Sequence, residues 1–303
     1  MVHGSPPVRF CFAIKIVRVA PIRSEIIDEE SRQTAGQWTP AAISRFWEYY
    51  GRRADWHSEY FTFQVGEGVA NFLSWAGRLS PGMEVLDYGC GAGFLLEKML
   101  ARGANCQGVE NSPKAVELVN QKFHDNPNWK GAVQVSQPPA PFPEASFDTI
   151  TCLETLEHLL DEGLPVVVKE INRLLKPGGT ALFSTPNNED LFHSYIYCPF
   201  CETSFHKVQH LRSFSAESLR AFLESHGFRV KFCQGVNFDA FQRRPSLRQW
   251  RDLSLREIGK WMRSRKNALL DRMAPRPFPH GRDFSSRAMD GDWHLCALAE
   301  RPN

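Results

Sequence analysis

The sequence has no run approaching 18 uninterrupted apolar residues among its 303, so no segment is expected to span a bilayer. The apolar stretch Val8–Ala20 is interrupted by Arg9, Lys15 and Arg18, and no small-residue cleavage site follows it. A secretory leader is therefore not expected. A strong charge of either sign is also missing, and the net charge of +2 gives no global argument for nucleic acid. Internal repeats are absent. So is a disulfide framework: the eight cysteines are scattered apart from one Cys-x-x-Cys pair. That pattern suits reduced thiols and a cytoplasmic location.

What is there is an ordinary globular composition, 42% hydrophobic and 23% charged, with length enough for one α/β domain and additions. Residues 1 to about 37 read as a weakly structured tail. Charge is uneven in one place. Phe241 to Asp290 carries 13 Lys and Arg against 5 Asp and Glu. Within it, Leu247, Trp250, Leu253, Ile258, Trp261 and Met262 recur at helical spacing, which predicts a basic helical insertion over 237–290. Its basic side chains are a solvated helix face or, alternatively, an RNA-binding surface.

Helical periodicity in Ile43, Phe46, Trp47 and Tyr50 predicts a helix over Thr39–Tyr60, and a second over Gly68–Leu79 completes a helical cap at 38–82. Strands then alternate with helices. Strands are expected at Glu84–Tyr88, Cys106–Glu110, Ala132–Ser136, Phe147–Leu153, Thr180–Thr185, Phe228–Gln234 and Trp293–Ala299. Helices are expected from Phe94, from Ser112-Pro113, at Leu164–Leu175 and at Ala216–Ser225. This implies a doubly wound, mostly parallel seven-stranded α/β sheet, its core over 83–236 and its last strand in 291–303.

The segment Asp87-Tyr88-Gly89-Cys90-Gly91-Ala92-Gly93 ends a strand and opens a helix. Glycines there permit a tight turn and close approach of a ligand to the backbone. A nicotinamide fingerprint needs Gly or Ala three residues after the second Gly, and that position is Phe94. The order Asp-x-Gly-x-Gly-x-Gly resembles instead the first motif of class I S-adenosylmethionine-dependent methyltransferases. By that resemblance Asp87, Gly89, Gly91 and Gly93 position S-adenosyl-L-methionine, and Glu110 at the end of the next strand holds both ribose hydroxyls. Where the family usually places an Asp near the adenine amine, this sequence has Ser136-Gln137-Pro138, so Gln137 is the expected adenine contact.

After the fourth strand comes Glu154-Thr155-Leu156-Glu157-His158. If this run is helical, Glu154, Glu157 and His158 share one face and suit Mg²⁺, Mn²⁺ or Zn²⁺. The run resembles Glu-x-x-Glu-His in the ubiquinone-type O-methyltransferases and in small-RNA 3′-terminal 2′-O-methyltransferases, where it implies a catalytic metal, with a later His matched near His210. Without a metal, the same residues line the pocket and His158 is the expected general base.

Cys198-x₂-Cys201-x₄-His206-x₃-His210 resembles a half zinc ribbon, a structural Zn²⁺ site over 197–210. His210 cannot belong fully to both metal sites. Trp47, Tyr50 and Tyr60 are expected to roof the pocket or pack the core. The sequence thus implies a methyltransferase acting on a hydroxyl of a small molecule or glycoconjugate. The alternatives are an RNA 2′-O-methyltransferase and a silent, zinc-stabilised binding protein of the same fold.

Overall fold

The computed structural model describes residues 37–51, 53–241 and 294–303. Almost all of the expected tail, and the expected helix around Leu247–Met262, lie outside the described residues. A twelve-residue helix, α1 (Pro40–Gly51), is followed by a short 3₁₀ turn (Ala54–Glu59) and helix α2 (Phe61–Trp75). The long first helix expected from the sequence is therefore broken at Gly51, where the helix-forming pattern ends. Helix α2 starts seven residues earlier than expected and runs through Gly66 and Gly68. Gly68 is not a boundary but a contact: a Cβ there would lie 2.3 Å from the Phe238 carbonyl oxygen.

The remaining elements are β1 (Glu84–Tyr88), α3 (Phe94–Leu100), β2 (Asn105–Glu110), α4 (Pro113–Phe123), β3 (Trp129–Gln134), β4 (Phe147–Leu153), α5 (Gly163–Leu174), β5 (Leu175–Pro186), β6 (Tyr195–Cys198), β7 (Thr203–His206), α6 (Ala216–Ser225), β8 (Arg229–Gly235) and β9 (His294–Glu300). Seven strands form one mostly parallel sheet, as the sequence predicts, in the order β3-β2-β1-β4-β5-β9-β8. Neighbours from β3 to β5 pair in parallel, and β9 runs antiparallel between β5 and β8. The chain reverses its order between β1 and β4, and ligands in open α/β sheets bind outside the carboxyl ends of the strands at such a point.

Two apolar layers cover the sheet. Phe72 and Leu73 of α2, Leu95 and Leu96 of α3 and Val119 of α4 pack on one face with Leu153, Leu182 and Leu298. Leu164 and Ile171 of α5 and Leu219 of α6 pack on the other with Ile150, Cys152, Phe183 and Ala297. Alternate residues of β4, β5 and β9 thus enter opposite layers, the period-2 geometry of a strand buried on both faces. Strands β6 and β7 form a separate hairpin, Tyr195 opposite His206 and Cys198 opposite Thr203. The sequence predicts a zinc-ribbon-like loop over 197–210, whereas Tyr195-Ile196-Tyr197 favours a strand. No helix among the described residues is long and apolar enough to cross a membrane.

Candidate active site

The loop after β1 is shaped by backbone that only glycine adopts easily. Gly89, Gly91 and Gly93 have φ of 84°, 49° and 72°. Gly93 is doubly constrained, because a Cβ there would lie 2.5 Å from Val119 Cγ2 and 2.9 Å from Phe123 Cε2 of α4. Above Gly91 a Cβ would meet only the Tyr60 ring, at 3.6 Å. One Glu110 oxygen accepts from the Gly91 N–H at 2.9 Å, and the other accepts from Asn111 and Ser112 N–H at 2.8 and 3.0 Å. Three backbone donors therefore fix this carboxylate before any ligand arrives. Ser112 in turn caps α4, its hydroxyl accepting from the Ala115 N–H.

A cavity of about 1200 Å³ opens over this loop, and its wall includes Tyr60, Gly91, Glu110, Gln137, Glu154 and His158. Gln137 is exposed at the rim, after β3. Burial, with the Glu110 charge added, pushes the Tyr60 hydroxyl pKa up to about 12. Asp87 is placed differently from its neighbours. It is buried beneath the loop, where one oxygen accepts from the Thr151 hydroxyl at 2.7 Å, and it does not line the cavity. Burial pushes its pKa up to about 7, with the Glu110 charge adding to the effect.

The expected single face of Glu154, Glu157 and His158 does not form. The chain after β4 makes only a 3₁₀ turn, Leu156–His158, and Glu154 precedes it at φ 45°. Glu154 is held toward β5, its N–H donating to the Ser184 carbonyl at 3.0 Å and its carboxylate accepting from the Ser184 hydroxyl at 2.8 Å. Glu157 is fully buried, and neither of its oxygens has a hydrogen-bond partner. Burial first, then the nearby Glu154 charge, pushes its pKa well above the carboxylate range. A bare carboxyl in such a place costs free energy unless something completes it.

His158 and His210 flank that carboxyl. His158 Nδ1 lies 3.2 Å from the Gln209 carbonyl oxygen, and its Nε2 lies 4.0 Å from Glu157 Oε1. Burial, followed by the His210 charge, pushes the His158 pKa down to about 3. The imidazole is thus neutral near neutrality. His210 Nδ1 lies 2.5 Å from Glu189 Oε2. Glu189 also faces His206 Nε2 at 3.4 Å, and His206 Nδ1 accepts from the His210 N–H at 3.0 Å. Burial raises the Glu189 pKa, but hydrogen bonds to His206 and His210 outweigh it and hold it at about 2.

Ligand atoms of Glu157, His158 and His210 lie within 4.8 Å of one another, as do those of Glu189, His206 and His210. With both Nδ1 atoms engaged, Nε2 of His158 and of His210 is the nitrogen left to bind a cation beside the bare Glu157. This donor set fits a divalent metal, with Glu189 as the carboxylate behind a histidine ligand. His206 points its Nε2 at Glu189, so it supports the site from behind.

The proposed zinc quartet of Cys198, Cys201, His206 and His210 does not come together. His206 pairs with Tyr195 and Cys198 with Thr203, so about 10 Å of strand separates the two ends of the hairpin. Among the described residues no cysteine joins a group of three or more metal-ligating atoms.

Three residues that hold this geometry escaped the sequence reading. Glu189 stands just beyond β5, and an acidic residue past the carboxyl end of a central strand was the available signal. Gln209, at φ 63°, donates to the His158 carbonyl at 2.9 Å and accepts from Trp47 Nε1 at 2.8 Å. Arg212 donates to the Leu156 carbonyl at 2.8 Å, the Leu159 carbonyl and Asp161 at 2.7 Å, tying the His210 loop to the Glu157 turn. Trp47 also sits edge-on to His158, with ring centroids 4.8 Å apart. Tyr50 packs instead on Phe46 and Trp56.

Comparison with known proteins agrees with this fold. The sequence model of a family described as "Methyltransferase domain" matches residues 60–231. A ubiquinone biosynthesis O-methyltransferase of Paracidovorax citrulli is 34% identical over 161 residues, which cover 49% of this chain and 62% of that protein. One of Thiobacillus denitrificans is 35% identical over 150 residues, covering 48% and 63%. The chain thus spans about three fifths of the curated relatives it matches. A Haloferax volcanii complex of the Trm112 methyltransferase activator with a putative methyltransferase matches with a TM-score of 0.54 at 18% identity, over 85% of this chain and 98% of that one. A Burkholderia thailandensis 1,6-didemethyltoxoflavin-N1-methyltransferase with bound S-adenosylhomocysteine gives 0.51 at 15% identity, over 89% and 93%. At such identities these two speak for the fold alone.

Proposed function

The chain belongs to the methyltransferase-domain family, and from that premise we propose that it binds S-adenosyl-L-methionine and methylates a hydroxyl of a small-molecule or glycoconjugate acceptor. One observation carries the cofactor half of this reading: Glu110, already clamped by three backbone N–H groups, faces the cavity beside the left-handed Gly91. Three of its four lone-pair sites are taken by backbone N–H groups, and the carboxylate keeps the fourth for a ribose hydroxyl. Gln137 at the rim offers its amide oxygen to the adenine amine. When bound, the sulfonium supplies an already activated methyl carbon, so the protein's work is alignment and exclusion of water. Tyr60 over Gly91 and Trp47 over His158 wall the cavity for that purpose.

His158 and His210 line the far end of the cavity, and with Glu157 buried behind them they would hold a divalent cation, Glu189 backing His210. Such an ion supplies Lewis acidity that lowers the pKa of a hydroxyl. Two imidazoles and one carboxylate suit Mn²⁺ or Zn²⁺ better than the Mg²⁺ expected from two carboxylates. Glu154 takes no part in that set. The RNA alternative rests on Arg243 to Lys266, which lie outside the described residues, and the small-molecule reading is preferred on the mainly apolar cavity.

Calorimetry with S-adenosylhomocysteine tests the proposal directly. Binding by the parent protein and a loss of about tenfold or more in Glu110→Ala are expected, the scale of one hydrogen bond to a charged group. Equal indifference of both proteins to this nucleoside defeats the reading. Turnover of S-adenosylmethionine with dihydroxylated aromatic or sugar acceptors, lost on chelation, separates an enzyme from a silent binding protein.

A further inference from the structure

The hairpin β6–β7 carries features that methyl transfer does not use. Its strands are joined by Pro199-Phe200-Cys201-Glu202, with the Glu202 N–H donating to the Cys198 carbonyl at 2.9 Å and Glu202 itself at φ 55°. The left-handed residue after the second cysteine closes the turn, and Cys201 lies against Thr203, the residue opposite Cys198, so both cysteines stand at one end of the hairpin. The Cys201 thiol lies 3.0 Å from the Thr203 hydroxyl, and its pKa is lowered by that hydroxyl first and by the Cys198 thiol next. Cys201 is exposed. Two cysteines at one hairpin tip, the second of them exposed, are a soft-metal chelate, since thiolates select Zn²⁺ over Mg²⁺ or Ca²⁺.

The chelate supplies only two of the four ligands that a closed zinc site needs. Zinc–sulfur bonds of about 2.3 Å leave no room for His206 or His210, which stand at the far end of the hairpin and face Glu189. The exposed surface around the chelate is apolar as well. Of the eight large hydrophobic side chains exposed among the described residues, Phe192, Ile196, Tyr197 and Phe200 fall within nine consecutive positions, with Phe200 96% exposed. Such clustering marks a surface that another one covers. A half-filled thiolate shell has one self-complementary solution, the same two thiols across a two-fold axis.

We propose that Cys198 and Cys201 form half of a structural zinc site that a second copy of this chain completes, joining two chains at the hairpin tips through one tetrathiolate Zn²⁺. Each copy surrenders two thiol protons as its sulfurs become ligands, and no redox change is involved. The contact also covers Tyr197 and Phe200 on both sides. The inference does not depend on the methyl-transfer reading, and it leaves the deep Glu157 cluster free for its own cation.

The test uses the full chain, stripped of metal and titrated with Zn²⁺ or Co²⁺, with molar mass followed by light scattering. A Glu157→Ala/His210→Ala background removes the deep carboxylate and the histidine common to both deep clusters, so that ions counted belong to the thiols. One Zn²⁺ per two chains, a zinc-dependent dimer and the intense thiolate-to-cobalt absorption of four sulfurs are expected. Cys201→Ser is expected to weaken zinc binding about a hundredfold or more and to leave a monomer that still binds S-adenosylhomocysteine like the parent. Zinc held tightly by a monomer overturns the shared site. So does a dimer indifferent to zinc, or a cobalt spectrum without sulfur. Failure of S-adenosylhomocysteine binding in the parent would count against the cofactor reading and leave this one standing.

Discussion

The two ends of the cavity are built by different means. At the cofactor end the backbone does the binding: three left-handed glycines, and the N–H groups of Gly91, Asn111 and Ser112 converging on one carboxylate. All of it comes from the adjoining ends of β1 and β2, so sheet pairing sets the geometry. At the acceptor end side chains do the work, and they arrive from three stretches: Glu157 and His158, Glu189, and His206 with His210. No sheet hydrogen bond sets their spacing. Loop-to-loop contacts do so instead, through Arg212, Gln209 and the Leu211 N–H on the Glu157 carbonyl at 2.8 Å. The first end is preformed whether or not ligand is present. The second leaves a buried carboxyl without partners, and its order depends on what completes it.

That contrast predicts that damage to the first end is global and damage to the second is local. The largest effect is expected from Gly93→Val. It places a branched side chain at φ 72° against Val119 and Phe123, at a cost of roughly 3 kcal/mol or more. Calorimetry should record a Tm lowered by about 6 °C or more together with loss of S-adenosylhomocysteine binding. Glu157→Gln should behave oppositely. The metal-free protein should be no less stable than the parent, since a buried carboxyl without partners is gone. Its rise in Tm with Mn²⁺ or Zn²⁺ should vanish, while S-adenosylhomocysteine affinity stays within about twofold. A Glu157→Gln variant that lost cofactor binding as Gly93→Val does would erase the distinction between the two ends. Glu189→Gln, acting behind His210, should weaken metal binding by about 10- to 100-fold without abolishing it.

The same contrast explains what could be read from the sequence. The glycine loop, Glu110 and the alternation of strands with helices are contiguous patterns, with apolar strands, punctuating glycines and capped helices following one another, and the sheet brings them together as the pattern implies. Asp87 belongs to that pattern yet serves beneath the loop, because alternate residues of a strand point to opposite sides. Glu154, Glu157 and His158 were grouped on the assumption of a helix, whereas a left-handed Glu154 and a single 3₁₀ turn send them apart. The Cys-His run failed for a related reason. Spacing in sequence says nothing of register, and a hairpin carries residues eight positions apart to opposite ends or to the same rung, depending on where it turns.

Asp87 gives a smaller effect, read as a pH profile at the preformed end. Its carboxyl ionises at about 3.8 when exposed and at about 7 in the fold, where burial disfavours the charge. The folded protein therefore binds more protons than the unfolded chain between those values, and Asp87 makes stability fall as pH rises across that window. Asp87→Asn keeps an oxygen for the Thr151 hydroxyl and removes the titration, so the variant's stability curve should be flatter than the parent's from pH 4 to 7. A parent and variant with parallel curves would show that the charge is compensated in the fold.

Trp47→Phe should give the smallest effect, and it asks whether helix α1 belongs to the second end. The indole N–H donates to Gln209 Oε1, and Gln209 in turn holds the His158 carbonyl. Phenylalanine keeps an aromatic face beside His158 but leaves that amide oxygen without its donor. A loss of about 1 kcal/mol is expected, or about 2–4 °C in Tm. Because the indole touches the acceptor end alone, the same substitution should lower metal affinity while leaving S-adenosylhomocysteine affinity as it was. An equal loss of both would mean that α1 braces the whole cavity, and the division between a backbone-built end and a side-chain-built end would have to be redrawn to place Trp47 with the first.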